Sequence, residues 1–174
     1  MKNKYRLVAL TLLFVSSLGA CANSEREVAD IACPQVGIMN DLSSAKFYVA
    51  GEQKTMGNLI AEAKIVDYEG SCDYAKKGVS TDLKVSITVE KGPKLKKDVV
   101  KVKYFVAIAN PQREVLKKSV YETDIQFKKN QVMAGSLETL TQFIPLHPNE
   151  GAGGYEILFG FQPDDAVTQF NQAQ

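Results

Sequence analysis

"LKVSITVE", residues 83–90, alternates without a break: Leu83, Val85, Ile87 and Val89 fall on one side of an extended chain, Lys84, Ser86, Thr88 and Glu90 on the other. Successive side chains of a strand point to opposite faces, so this stretch predicts a β-strand with one dry face and one wet face. The same period continues downstream. In "VKVKYFVAIA", residues 100–109, Val100, Val102, Tyr104, Val106 and Ile108 share a face, while opposite them Lys101 and Lys103 give way to Phe105 and Ala107. That pattern predicts a strand running from a solvated edge into a region covered on both sides. "ANPQRE", residues 109–114, supplies an Asn-Pro turn, and Tyr121, Thr123, Ile125 and Phe127 then alternate. The two runs predict a long hairpin.

Further strands are predicted over 34–39, 60–68, 137–144 and 155–162, with a short edge piece at 47–49. No long stretch carries a helical period with caps. "PDDAVTQFNQ", residues 163–172, reads as a terminal turn with Pro163 at its entrance and Asp164 or Asp165 as its cap. Seven or eight short strands predict an all-β domain, a single antiparallel β-sandwich of immunoglobulin-like character, with a small β-barrel as the alternative. The hallmark tryptophan of antibody domains is absent.

The chain opens with MKNKYRLVALTLLFVSSLGA, in which Lys2, Lys4 and Arg6 precede an apolar run from Leu7 to Leu18. About twelve apolar residues are too few to cross a bilayer, which takes roughly twenty, so residues 1–20 read as an export signal that is removed. Leu18-Gly19-Ala20-Cys21 resembles the lipobox of bacterial lipoproteins. The resemblance covers the leader alone. It implies that the Cys21 thiol is alkylated by a diacylglyceryl group, that the signal is cut just before it, and that the new amino terminus is acylated. The competing reading is an ordinary secretory signal with Cys21 a plain thiol. The chain has three cysteines, Cys21, Cys33 and Cys72. If Cys21 carries lipid, Cys33 and Cys72 remain as a pair, and an oxidising compartment favours a disulfide between them; two free buried thiols are the other possibility. Cys33 opens the first predicted strand and Cys72 follows the second, so those two strands are expected to pair antiparallel.

Residue 22 is Ala, whereas Asp after the lipidated cysteine is the usual inner-membrane retention signal of Gram-negative lipoproteins. The resemblance therefore implies anchoring to the outer membrane, facing the periplasm, with membrane lipid as the partner of Cys21. In a bacterium with one membrane the same leader implies the outer face of that membrane. ANSEREVADIA, residues 22–32, is polar and without aromatics, and reads as a tether able to span about 36–40 Å when extended. The folded domain is then 33–174. A second, fainter resemblance lies in Cys33-Pro34, Gly70-Ser71-Cys72 and "YEILFGFQ", residues 155–162. These are similar to features of small lipoproteins of alphaproteobacteria, a group without an established activity. What that resemblance implies is fold and location, not chemistry.

Removing residues 1–20 takes away three basic residues and no acidic one, which leaves 18 Lys plus Arg against 20 Asp plus Glu. Such a balance argues against nucleic acid as a partner, which usually leaves a strongly basic footprint. About 154 residues remain, enough for one well-filled core.

Several features invite a chemical reading. "KGPKLKKDVVKVK", residues 91–103, holds Lys91, Lys94, Lys96, Lys97, Lys101 and Lys103 against Asp98. It is a candidate contact for an anionic surface; equally, lysine on a loop and edge strand discourages pairing with other chains. His147, in "PLHPNEG", is the chain's one histidine and a minor candidate for a hydrolase base, without a G-x-S-x-G elbow nearby. One histidine, two paired cysteines and no Asp-x-Asp loop offer no ligand set for zinc or calcium, and no cofactor is expected. "EGAGGY", residues 150–155, lacks the spacing of phosphate-binding loops. The expectation is a non-enzymatic binding or scaffolding module of the cell envelope with an envelope protein as partner. The alternative is a small-ligand or lipid carrier with a cavity between its sheets.

Overall fold

The computed structural model describes residues 32–162. Cys21, the leader, the tether up to residue 31 and the terminal turn expected at 163–172 lie outside the described residues. Eight strands follow one another: β1 (Gln35–Ile38), β2 (Ser44–Tyr48), β3 (Leu59–Ala75), β4 (Gly78–Lys91), β5 (Val99–Ala109), β6 (Val115–Gln126), β7 (Met133–Pro145) and β8 (Glu156–Phe161). They form two four-stranded sheets, ordered β1-β8-β5-β6 and β2-β3-β4-β7. The two pack as a sandwich of immunoglobulin-like character and do not close into a barrel. Short turns of 3-10 helix at Asn40–Leu42, Met56–Asn58 and Ala152–Gly154 complete the described chain.

Residues 83–90 lie within β4, which is central in its sheet between β3 and β7. Their alternation is the burial pattern itself: Leu83, Val85, Ile87 and Val89 are buried against the other sheet. β5 is central in the opposite sheet, and from Tyr104 onward both of its faces are dry. The turn at 40–42 covers the outer face of its neighbour β8 beside Phe105, and a side chain of β6 covers the outer face of β5 itself. Gly160 permits the first, because a Cβ there would stand 2.7 Å from the Leu42 Cβ. Lys118 supplies the second, its Nζ 4.3 Å from the centre of the Phe105 ring. The predicted β5–β6 hairpin is present, in register from Val99↔Gln126 to Ala109↔Val115.

β3 runs seven residues beyond the predicted end at Tyr68. A bulge between Ile65 and Asp67 inserts one extra residue, so Ile65 faces Ile87 but Tyr68 faces Val85. The extra residue shifts the phase of the strand. Before it, Ala61, Ala63 and Ile65 turn to the core; after it, the even-numbered Tyr68, Gly70, Cys72 and Tyr74 turn toward the other sheet. There Tyr68 donates to the Val36 carbonyl at 3.0 Å and meets the Phe159 ring edge-on at 5.2 Å. Tyr74 donates to the Ala32 carbonyl at 2.7 Å and accepts from the Ala152 N–H at 2.9 Å.

Cys33 and Cys72 form a disulfide, their Cα atoms 5.8 Å apart. The strand pairing inferred from it is corrected. β1 and β3 are not paired: β1 lies parallel to β8, with Gln35↔Glu156 through Ile38↔Phe159, and β3 belongs to the opposite sheet. Cys72 lies inside β3, not past its end, and the bond crosses from one sheet to the other. The physical reason is the phase shift at the bulge, which aims Cys72 across the sandwich.

Candidate binding groove and polar seam

β2 is the edge strand of its sheet, paired to β3 alone, from Ser44↔Lys64 to Tyr48↔Leu59. Across the sandwich β5 starts at Val99, but β8 pairs with it only from Tyr104 onward. Among the described residues, the first residues of β5 therefore have a strand neighbour on the β6 side alone. Between β2 and the start of β5 lies a cavity of about 480 Å³.

Its walls are largely apolar. Phe47 comes from β2, Ile60 from β3 and Val100 from β5, and Leu95 enters from the loop that joins the two sheets. That loop is held by backbone bonds from Gly92 N–H to the Ile60 carbonyl at 2.8 Å and from Lys94 N–H to the Leu59 carbonyl at 3.0 Å, and by Lys91 against Asp98 at 2.7 Å. Tyr48 stands in the same wall, where burial, and secondarily the Glu62 carboxylate, push its phenol above the ordinary value. At the mouth are Lys46, Lys54 and Lys101, with Glu52 as the acidic counterpart. An apolar floor under a cationic rim suits an extended or amphiphilic partner that carries negative charge.

The six candidate lysines are divided by the fold. Lys91 pairs with Asp98 and lies 4.8 Å from the centre of the Phe127 ring. Lys101 pairs with Glu122 and Asp124, and Lys103 with Glu122 at 3.9 Å, as cross-strand ladders on the outer face of β5 and β6. Lys94, Lys96 and Lys97 are exposed in the loop around Leu95, with no ion pair among the described residues. The sequence cluster thus becomes a paired face and a loop beside the groove. Only Lys101 lines the groove itself.

Comparison with family models, with curated proteins and with solved structures finds no match to this chain.

On the opposite side of the sandwich, where β6 and β7 face each other, lies a polar seam. Tyr104 donates to Glu138 Oε2 at 3.1 Å, Gln142 Nε2 donates to the Tyr121 hydroxyl at 3.2 Å, and the two tyrosine rings stack at 5.5 Å. These bonds join the sheets through side chains that satisfy one another. Burial, then the Glu138 carboxylate, raise the Tyr104 phenol far above the ordinary tyrosine range. A raised value favours the neutral phenol, so the stability it contributes is complete below the ordinary tyrosine value and is lost as pH rises above it. Over the pH range in which the exposed tyrosines ionise, spectrophotometric titration should show the folded wild type and Tyr104→Phe ionising the same number of tyrosines, because Tyr104 stays neutral. Titration of Tyr104 in step with the exposed tyrosines would contradict this.

His147 is exposed and serves through its backbone. Its N–H donates to Glu150 Oε2 at 2.8 Å, and the Tyr155 hydroxyl donates to Glu150 Oε1 at 2.6 Å. The Tyr155 bond first, and the His147 N–H second, hold Glu150 below the ordinary glutamate range. Its carboxylate thus clasps the 147–155 loop at neutral pH and releases it only when pH falls through that lowered value. Limited proteolysis should cut this loop in the wild type only below the ordinary glutamate range, and in Glu150→Gln at neutral pH as well. Equal resistance of the two at neutral pH would refute the clasp. Among the described residues, no group of three or more His, Cys, Asp or Glu is placed to hold a metal ion.

Phe47, Tyr48, Ile60 and Leu95 were not singled out in the sequence as site residues. Each is an ordinary apolar residue of a strand or loop, and only the meeting of two strand edges makes them one surface. The pair Tyr68 and Tyr74 had a legible signal: Asp67, Glu69, Ser71 and Asp73 alternate with them and with Cys72.

Proposed function

We propose that this chain is a lipid-anchored, non-enzymatic binding module of the bacterial envelope, attached to the outer membrane through acylated Cys21 and facing the periplasm. The groove between β2 and β5 is its partner-binding site. The observation that carries the binding part is that cavity of about 480 Å³, within the range of roughly 300–1,000 Å³ common to ligand sites, apolar inside and cationic at the mouth. The lipobox resemblance supports the anchor, and the Cys33–Cys72 bond suits an oxidising compartment. Each acyl chain contributes about 0.8 kcal/mol per buried methylene, and one chain alone binds only marginally, so durable attachment takes the two or three that such a terminus carries.

Mass spectrometry of protein isolated from its own membranes tests the anchor: the expected amino terminus is a diacylglyceryl thioether at Cys21, and an unmodified thiol overturns it. A photoreactive residue in place of Leu95 tests the site. It is expected to cross-link one envelope protein that the same probe placed at Leu137, an exposed residue of β7, does not reach. The same adducts from both positions, or none, would remove the groove from the account. The volume also fits the carrier reading, in which an anionic amphiphile occupies the groove. Native mass spectra retaining a fatty acid that is lost on Val100→Lys would favour it.

A further inference from the structure

We infer that β7 is a strand-addition edge whose occupant is β7 of a second copy of this chain, the two running antiparallel about a two-fold axis at Leu137. Among the described residues β7 has one strand partner, β4, over an unbroken register from Gly78↔Pro145 to Glu90↔Met133. The backbone bonds that flank this register run from Lys91 N–H to the Val132 carbonyl at 2.9 Å and from Leu146 N–H to the Lys77 carbonyl at 3.2 Å. Even-numbered residues therefore bond to β4, and the odd-numbered ones, Met133 to Phe143, turn their N–H and C=O groups to the other side. Those odd-numbered residues are all exposed. Such an edge is a template for another strand unless charge blunts it. β6, the other long edge strand, is blunted: counted from Phe127 N–H to the Asp98 carbonyl at 2.9 Å, Lys118, Glu122 and Asp124 are among its edge-directed residues. The edge-directed residues of β7 are all uncharged, and among them Leu137, Met133 and Phe143 are 61%, 55% and 48% exposed.

The inward-facing residues select a second copy as the occupant. Ser136 Oγ is buried and meets no hydrogen-bond partner among the described residues, and such an orphaned group costs free energy until it is satisfied. Glu138, the one charged residue of β7, follows two positions later and gives its Oε2 to Tyr104. An axis at Leu137 sets Leu137 opposite its own copy, Gly135 opposite Thr139, and Ser136 of each copy opposite Glu138 of the other. By the alternation above, Ser136 and Glu138 then form a non-hydrogen-bonded pair, the kind whose Cα atoms approach to about 4.5 Å and whose side chains lie closest. The orphaned hydroxyl can donate to Oε1 of the facing carboxylate, and on the outer face two exposed leucines cover each other. Moving the axis by one residue would set Glu138 against Glu138, which like-charge repulsion disfavours. A surface that complements itself in this way closes at two copies. Both sheets that contain β7, four strands each, become one continuous sheet across the dimer.

This edge lies across the sandwich from the groove, so the inference goes beyond the binding reading and either can fail alone. The test is sedimentation equilibrium of the full mature chain, in detergent with micelles in excess so that lipid alone joins no two copies. The wild type should dimerise as its concentration rises. Leu137→Lys, a change at an exposed side chain, sets two ammonium groups face to face at the axis and should raise the dimer dissociation constant at least roughly tenfold. Ser136→Ala should raise it by a similar factor, because it removes the hydroxyl that meets the carboxylate. Its melting temperature, measured where the chain is monomeric, should not fall. Amide exchange followed by NMR locates the contact: protection of the Leu137 N–H should grow with protein concentration, while Val106, in the middle of β5, stays protected throughout and reports that the fold is intact. A wild type that is monomeric up to roughly 1 mM overturns the inference. So does a dimer that either substitution leaves unweakened, since its axis then lies elsewhere. Protection of Leu137 that appears only when envelope proteins are added gives the edge to a different protein and also overturns it.

Discussion

Reduction of the Cys33–Cys72 bond should destabilise the domain by about 3–4 kcal/mol, which for a domain of this size is a fall in Tm of roughly 10–15 °C. The bond closes a loop of 39 residues, and the chain-entropy cost of that loop in the unfolded state sets the estimate. Its position adds a native-state consequence. β1 is a four-residue strand with a single strand partner, β8, and Cys33 is tied across the sandwich two residues before it begins. The hydrogen bonds of Tyr68 to Val36 and of Tyr74 to Ala32 also tie β3 to this corner. Without the disulfide, β1 should be the first strand to open, seen as faster amide exchange at Val36–Ile38 than in β5. Melting curves with and without reductant, and of the Cys33→Ser/Cys72→Ser variant, measure the effect. Coincident curves would show that the bond adds nothing to the fold.

Phe159→Ala should cost about 3–5 kcal/mol, a large share of the 5–15 kcal/mol that holds a domain of ordinary stability. Phe159 is fully buried on β8, between β1 and β5, and faces the opposite sheet, where its ring and that of Tyr68 form a T-shaped pair with centres 5.2 Å apart. Truncation leaves a void in the centre of a sandwich whose strands are held in register on both sides, so the surroundings can collapse little. Urea denaturation should show a lower midpoint with the slope unchanged. A loss under about 1 kcal/mol would mean that the core at this point is not packed as described. Because Tyr68 and Cys72 follow the same bulge, combining Phe159→Ala with loss of the disulfide should not be additive. Both changes release the same corner.

Alternation made β4 and the β5–β6 hairpin legible, since the period of two is a property of each segment whatever it pairs with. The mixed pattern at Lys101 and Lys103 giving way to Phe105 and Ala107 foretold a strand covered on both faces only along part of its length. The end of β3 was misplaced at Tyr68 because the bulge resets the phase, and a reading that insists on one phase stops where the phase changes. The disulfide partners were legible from the count of cysteines and the leader, while the pairing of strands drawn from them was not. A covalent link between two strands is equally compatible with neighbours in one sheet and with opposed strands in two.

The candidate site was the least legible part. Lysines 91–103 stand out as a run, yet Lys91, Lys101 and Lys103 meet acids from Asp98 and β6, and a linear reading cannot see such partners. The groove draws on residues 46–54, 60, 95 and 99–101, whose only common property is position.

What the sequence by itself determined about this protein is that it is built of strands and, wherever a strand keeps one phase as β4 does, which of its faces is dry, because hydrophobic period is written locally and survives any arrangement of the strands. What only the tertiary structure decided is the partner of each strand: β1 beside β8 in parallel, Cys72 aimed across the sandwich, and β2 and the start of β5 on either side of a groove. Strand pairing depends on contacts between segments as far apart as Gln35 and Glu156, and a strand's own sequence reads the same whichever neighbour it takes and in whichever direction that neighbour runs.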